Sequence, residues 1–265
     1  AAGASASYSF ANLAVDKTGP TSTAAVTGLQ DDAGSVTAAL VSGATSDDTT
    51  PLLSGSLSAA LQPGESIVVQ RSDNGATPVV VSGADGLHTS TTSWSLTDSG
   101  LQDGHTYTYT AYVADAAGNL GAVSASYAVT IDTSAPTGLT ANDVAGADNT
   151  INAAEAAAAA LSGNAEANAT VTLNLGGKNV TTTADASGNW SYPLTAADLT
   201  AMGQGPETIT ITQTDAAGNT SAPVTKAITV DTVAPAAPAI NTVEGDDTVT
   251  ALEAADGVVL SLSLI

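Results

Sequence analysis

The chain has 265 residues, no Cys, 26 acidic side chains against 4 basic ones, and a formal net charge of −22. This balance disfavours nucleic acid and anionic membrane surfaces as partners, because phosphate binding needs clustered Lys and Arg. Lys17, Arg71, Lys178 and Lys226 are instead scattered along the chain. Aromatic residues make up 3% of the chain, so the core must come from Val, Ile, Leu and Ala. That core suits thin β-sandwiches of about 100 residues better than a roomy catalytic α/β domain.

The length admits one large domain or two ordinary ones. No run of 18 apolar residues is present to span a membrane, so no membrane insertion is expected. Without disulfides, stability must come from elsewhere, and an acidic chain is suited to binding cations.

In chain order, the opening AAGASASYSF lacks the basic start and apolar stretch of a secretion signal. Residues 1–16 read as the last strand of a preceding module. Short β-prone runs follow: LLSGSL, ESIVVQR, PVVVSG, TTSWSLT, HTYTYTAYVA and SASYAVTI. Gly, Asp, Asn and Pro punctuate them. A second series repeats the first: AALSGNA, ATVTLNL, KNVTTTA, NWSYPL, ETITITQT and TKAITV. Ala153–Ala160 is helix-prone but too short to stand alone, and a turn of helix is expected near Leu199–Gly203. The closing VVLSLSLI reads as a strand without its partners, so the chain is expected to be an excerpt.

Three landmarks recur in step. Asp16-Lys-Thr-Gly-Pro20, Asp132-Thr-Ser-Ala-Pro136 and Asp231-Thr-Val-Ala-Pro235 each follow a β-prone run, the last two 99 residues apart (231 − 132). Asp115-Ala-Ala-Gly-Asn119 and Asp215-Ala-Ala-Gly-Asn219 are 100 apart (215 − 115), and Trp94 and Trp190 are 96 apart (190 − 94). The spacing divides the chain into 1–16, a module at 17–132, a second at 133–231 and the truncated start of a third at 232–265. About seven short strands per module predict an all-β protein of tandem immunoglobulin-like Greek-key sandwiches in an extended rod. The linker Pro cannot donate to a ladder, so it ends a strand and stiffens the crossing.

The Asp-x-Thr-x-Ala-Pro linker, the Asp-Ala-Ala-Gly-Asn loop and the Gly-Asn-Trp-Ser turn resemble the bacterial Ig-like repeats of giant type I-secreted RTX and biofilm-associated adhesins. The resemblance covers nearly the whole chain. The first module, at 116 residues between its Asp landmarks (132 − 16), and Lys17-Thr-Gly19 in the first linker depart from the commonest form. The resemblance implies a bacterial cell-surface location outside the cell, a part in adhesion or biofilm formation, and calcium between modules.

Calcium takes six to eight oxygen ligands, and sandwich loops gather at the two ends of a module. Near residue 132 the expected ligands are Asp132, Asp143, Asp148 and Asp215. Near 231 they are Asp231, Asp246 and Asp247, and near 16 they are Asp16, Asp31, Asp32 and Asp115. Glu155 and Glu253 stand in a second tier. The alternative for each Asp is a turn role, bonding its own backbone; converging carboxylates, which repel until a divalent cation reverses the balance, favour the metal for the set.

Trp94 and Trp190 read as core, Tyr107 and Tyr109 share one strand face with Tyr112 opposite, and His88 and His105 have no assigned role. The chain contains no His-Glu-x-x-His, Gly-x-Ser-x-Gly, Walker loop or Cys nucleophile. Its acidic residues repeat with the modules, whereas an active site occurs once, so the chain is read as no enzyme. The expected function is an extender region of an adhesin, its partners calcium and neighbouring modules. Two rivals stand beside it. In one, the sandwiches bind surface glycans or host or biofilm-matrix protein directly. In the other, they are an accessory region of a secreted polysaccharide-degrading enzyme.

Overall fold

The computed structural model describes residues 15–35, 37–82, 86–237, 239–240 and 262–263. Ten strands precede the linker at residue 132. They are β1 (Ala24–Asp31), β2 (Ala38–Leu40), β3 (Ala44–Ser46), β4 (Leu52–Leu57), β5 (Ser66–Asp73), β6 (Val79–Val80), β7 (Leu87–Thr89), β8 (Ser93–Thr97), β9 (Thr106–Ala114) and β10 (Tyr127–Ile131). They form two five-stranded sheets, ordered β2-β1-β4-β8-β7 and β3-β10-β9-β5-β6. All pairings are antiparallel except β3 with β10, where Ser46 lies opposite Ile131. This is an immunoglobulin-like sandwich.

Alternation builds the core. Along β9 the sequence TYTYTAYVA turns Tyr107, Tyr109, Ala111 and Val113 inward, and Leu53, Val69, Trp94, Leu96, Val129 and Ile131 meet them from the facing strands. Tyr112, on the opposite face of β9, is also buried. The Tyr107 hydroxyl accepts the Gln102 N–H at 2.9 Å, which fixes the turn into β9. One buried carboxylate is paired with a cation: Arg71 grips both oxygens of Asp98 at 2.9 Å, and the Tyr109 hydroxyl donates to the same carboxylate at 2.8 Å.

The second sandwich comprises β11 (Thr150–Asn152), β12 (Ala160–Asn164), β13 (Thr170–Leu175), β14 (Lys178–Thr183), β15 (Asn189–Pro193), helix α1 (Ala196–Met202), β16 (Gly205–Thr214) and β17 (Val224–Asp231). Its five-stranded sheet is ordered β11-β17-β16-β13-β14, facing the pair β12-β15. Again one pairing is parallel, β11 with β17. Val171, Leu173, Leu175, Ile209, Ile211, Ile228 and Val230 fill the core with Trp190. Beyond it, β18 (Ala239–Ile240) pairs with β19 (Leu262–Ser263).

Trp94 and Trp190 occupy matching places, on β8 and β15, each opposite a strand Gly. A Cβ on Gly55 would stand 2.0 Å from Trp94 Cε2, and one on Gly163 would stand 2.0 Å from the Thr140 carbonyl oxygen. The Leu-Ser-Gly of β4 and β12 is therefore a close-approach motif.

The helix expected at Ala153–Ala160 is not formed. Residues 153–158 make turns and Ala160 opens β12. Asn152 Oδ1 accepts the N–H groups of Ala154 and Glu155, so the run is folded back before a helix can propagate. The second expected helical turn exists as α1, closed by a capping box between Thr195 and Asp198.

Candidate metal centre

The Asp-Ala-Ala-Gly-Asn loops are self-closing. Asp115 Oδ1 accepts the N–H of Ala117 and of Asn119, each at 2.9 Å, and Asp215 Oδ1 accepts those of Ala217, Gly218 and Asn219 at 2.8–2.9 Å. The Asn side chain then donates to the other carboxylate oxygen, at 2.9 Å in each loop. That bond, first among its causes, holds the Asp115 carboxyl below the usual range. Asp185-Ala-Ser-Gly-Asn189, between β14 and β15, closes in the same way. The motif thus builds a loop wherever it occurs, and its position decides what more it does. Asp16, Asp132 and Asp148 likewise each accept an N–H two residues on.

The hairpin loops face the upstream linkers. At the first, a shallow depression is lined by Asp16, Asp115 and Glu65 among others. At the second, Asn219 Nδ2 bonds the Asp132 carbonyl at 2.8 Å, bringing Asp132 and Asp215 together.

Two expected placements are corrected. Asp31 and Asp32 are at the opposite end of their sandwich from Asp16 and Asp115. The eight residues of β1 carry the chain about 26 Å at roughly 3.3 Å per residue. Asp31 Oδ2 there accepts the Ser46 hydroxyl at 2.7 Å, and Ser46 O accepts the Asp132 N–H at 2.9 Å. Asp31 therefore belongs to the linker at 132. Asp143 and Asp148 are not gathered with Asp132 and Asp215. Asp143 is paired with Lys226 at 2.6 Å, partway along β17, and the Lys226 ammonium holds its carboxyl below the usual range. Asp148 immediately precedes Asn149, whose carbonyl accepts the Thr229 N–H towards the far end of β17. Glu155 follows Asn152, which is opposite Asp231, so it lies at the 231 end. Asp246, Asp247 and Glu253 lie outside the described residues.

The structure adds acidic groups that sequence reasoning did not select. Asp47 and Asp48 follow β3 directly and reach the 132 end with it. Asp48 is buried, and its Oδ1 accepts the N–H and hydroxyl of Thr50. Asp47 Oδ1 is a buried oxygen with no hydrogen-bond partner among the described residues. Burial pushes its carboxyl above the usual range, and the charges of Asp31, Asp215 and Asp48 add to the shift. Asp215 belongs to the other sandwich, so the repulsion crosses the linker. A Ser35 hydroxyl donated to the Gly218 carbonyl at 2.6 Å also joins the two sandwiches.

Donor chemistry at this linker suits a hard cation: several carboxylates, carbonyls and hydroxyls, and an orphaned carboxylate oxygen. Among the described residues, no three His, Cys, Asp or Glu side chains are already drawn into a metal-holding cluster. The set is gathered but not closed.

Residues 135–231 match the bacterial Ig domain family. A bacterial immunoglobulin-like domain from the ice-binding adhesin of M. primoryensis is 40% identical, with 100% of its chain covered by 35% of this one, at a TM-score of 0.25. The chain belongs to the bacterial Ig-like domain family.

Two longer adhesin structures are also similar. One is a Ca2+-stabilized adhesin that helps an Antarctic bacterium reach out and bind ice, 32% identical over 83% of this chain and 53% of that chain, at a TM-score of 0.34. The other comes from a 1.5-MDa bacterial ice-binding adhesin concerned with host cell surface retention, 26% identical over 82% of this chain and 69% of that chain, at a TM-score of 0.32. The present chain therefore spans about half the length of the first of them. A search of curated proteins finds no match.

Proposed function

We propose that the chain is an extender segment of a bacterial surface adhesin, without catalytic activity, in which calcium bound between sandwiches limits bending. The observation that carries this reading is the buried Asp47 Oδ1 without a hydrogen-bond partner among the described residues, at the linker end where Asp31 and Asp48 of one sandwich meet Asp132 and Asp215. A cation placed among Asp31, Asp47, Asp48, Asp132 and Asp215 would give that oxygen a partner, offset the repulsion among the carboxylates and draw the two ends together. At the first linker Asp16, Asp115 and Glu65 supply the corresponding donors. The Ca2+-stabilized relative supports the choice of metal, and the adhesin relatives support a place outside the cell and at its surface. Extracellular calcium modules commonly bind at about 10⁻⁴–10⁻³ M, so the segment would stiffen on reaching a calcium-rich exterior.

Small-angle scattering tests the reading. Moving from millimolar calcium to chelator should shorten the maximum dimension and smear the profile towards a flexible pair of beads. Superimposable curves would return the linker carboxylates to plain turn duty.

A further inference from the structure

The peptide group joining Asp132 to Thr133 is held from both sides. Its oxygen accepts from Asn219 of the second sandwich at 2.8 Å. Its N–H donates to Asp103 Oδ1 of the first sandwich at 2.6 Å. A trans peptide is a stiff plane with its oxygen and hydrogen on opposite edges. The two sandwiches therefore share one plate, and neither can rotate about the linker without breaking a hydrogen bond.

The flanking atoms reinforce the grip. Asp103 Oδ2 accepts the Ser134 hydroxyl at 2.9 Å, and the Asp132 N–H is taken by Ser46 O at 2.9 Å. Downstream, Gln213 Nε2 donates to the Thr137 carbonyl at 3.0 Å, and its Oε1 accepts the Glu166 N–H at 2.7 Å. Gln213 is fully buried, so this part of the linker is fixed to the second sandwich. The bonds to Asp103 are charge-assisted, the stronger kind.

Each neighbouring linker shows half of this arrangement among the described residues. At the first, Asn119 Nδ2 approaches the Asp16 carbonyl at 3.4 Å. At the third, Gln204 Oε1 accepts the Thr232 N–H at 2.9 Å, and Gln204 Nε2 donates to the Thr232 hydroxyl at 2.8 Å. Asp103 and Gln204 both sit in the segment entering the strand that precedes the hairpin loop, β9 and β16. One is a carboxylate and the other a neutral amide, so the shared property is a hydrogen-bond acceptor placed on the linker N–H. Both polar atoms of the Gln204 side chain are engaged by Thr232, so these hydrogen bonds account for its place at the linker.

We infer that each linker carries a metal-independent splint: a peptide plane gripped at its N–H by the upstream sandwich and at its oxygen by the Asn of the downstream hairpin loop. The splint thereby narrows the relative orientations open to the two sandwiches before any cation binds, leaving the remaining bending to be limited by the cation, and Asp103 and Gln204 are positioning residues for the joint.

The chain lacks Cys, so Thr91→Cys and Ala186→Cys, both at exposed positions on different sandwiches, take spin labels cleanly. Distances between the labels are measured by pulsed dipolar spectroscopy with calcium removed by chelator throughout. The parent chain should give a narrower distance distribution than Asp103→Ala, which loses the grip on the Thr133 N–H. Asp103→Asn, which keeps an acceptor oxygen as Gln204 does, should restore the parent width. Circular dichroism of each variant verifies that the sandwiches themselves are intact. A parent distribution already as broad as that of Asp103→Ala would overturn the splint, as would an unchanged distribution in Asp103→Ala. No sample contains calcium, so the result stands or falls apart from the metal reading.

Discussion

Two buried or half-buried carboxylates in this chain are stabilised in opposite senses. Burial works against the charge of Asp198, but the Lys178 ammonium at 2.8 Å and the Thr195 hydroxyl and N–H outweigh it, and its pKa falls to about 2. A carboxyl lowered on folding adds stability that is fully present above its unfolded value of about 4 and is lost as pH falls through the folded value. Lys178→Met should therefore lower the melting temperature at neutral pH. The gap from the parent should close as pH falls from about 4 towards about 2, which an acid series of thermal melts would read. Asp47 is the reverse case, raised by burial and by its acidic neighbours, so its charge opposes the folded arrangement near neutral pH. Asp47→Asn should raise the melting temperature in chelator and shrink the further rise that calcium gives. A variant that responds to calcium as fully as the parent would remove Asp47 from the metal centre.

At the scale of single elements, the Leu-Ser-Gly strands set the tightest tolerance. Gly55→Ala drives a Cβ into the Trp94 indole, and Gly163→Ala drives one into the Thr140 backbone, each at 2.0 Å. Overpacking of this kind costs about 1–3 kcal/mol, and denaturant melts of the two single variants should each show a loss of that order.

Most central strands were legible because alternation and turn residues announce them: β4, β8, β9 and β13 fall within expected runs, and β5, β16 and β17 overrun theirs by one or two residues at an end. β1, β2, β3, β7 and β11 escaped notice. AAVTGLQD carries Gly and little bulk, and the three-residue strands are too short to display a period. That omission also misplaced carboxylates. The segment after each linker runs the length of its sandwich before turning, and β3 and β11 run parallel to the closing strand. Asp31, Asp47 and Asp48 consequently finish at the far end. Parallel pairing leaves no hairpin signature in sequence, so the register that carries these residues there was invisible. Asp132 and Asp215 were brought together as expected because an antiparallel hairpin does leave one.

At the scale of the whole molecule, the linkers are not equivalent. Ser46, opposite Ile131, is followed by Asp47 and Asp48, whereas Ile151, opposite Val230, is followed by Asn152 and Ala153. The upstream sandwich thus offers two more carboxylates at the 132 linker than at the 231 linker from these positions. Replacing Asp47 and Asp48 with Asn and Ala should make the 132 linker's bending much less sensitive to chelator, as read by scattering on the same chain. Retained sensitivity would place the metal on Asp31, Asp132 and Asp215 alone.

The parallel pairing of β11 with β17 bears on what happens when such a chain is pulled. Tension enters the second sandwich near residue 133 and leaves near 231, so β11 is drawn towards one end and β17 towards the other. The hydrogen bonds between Thr150–Asn152 and Thr229–Asp231 then lie across the pull and are loaded together in shear, rather than opened one at a time like a zip. The same geometry recurs between β3 and β10. Each sandwich thus closes around its own mechanical lock, which a pull along the chain would meet before the core came apart.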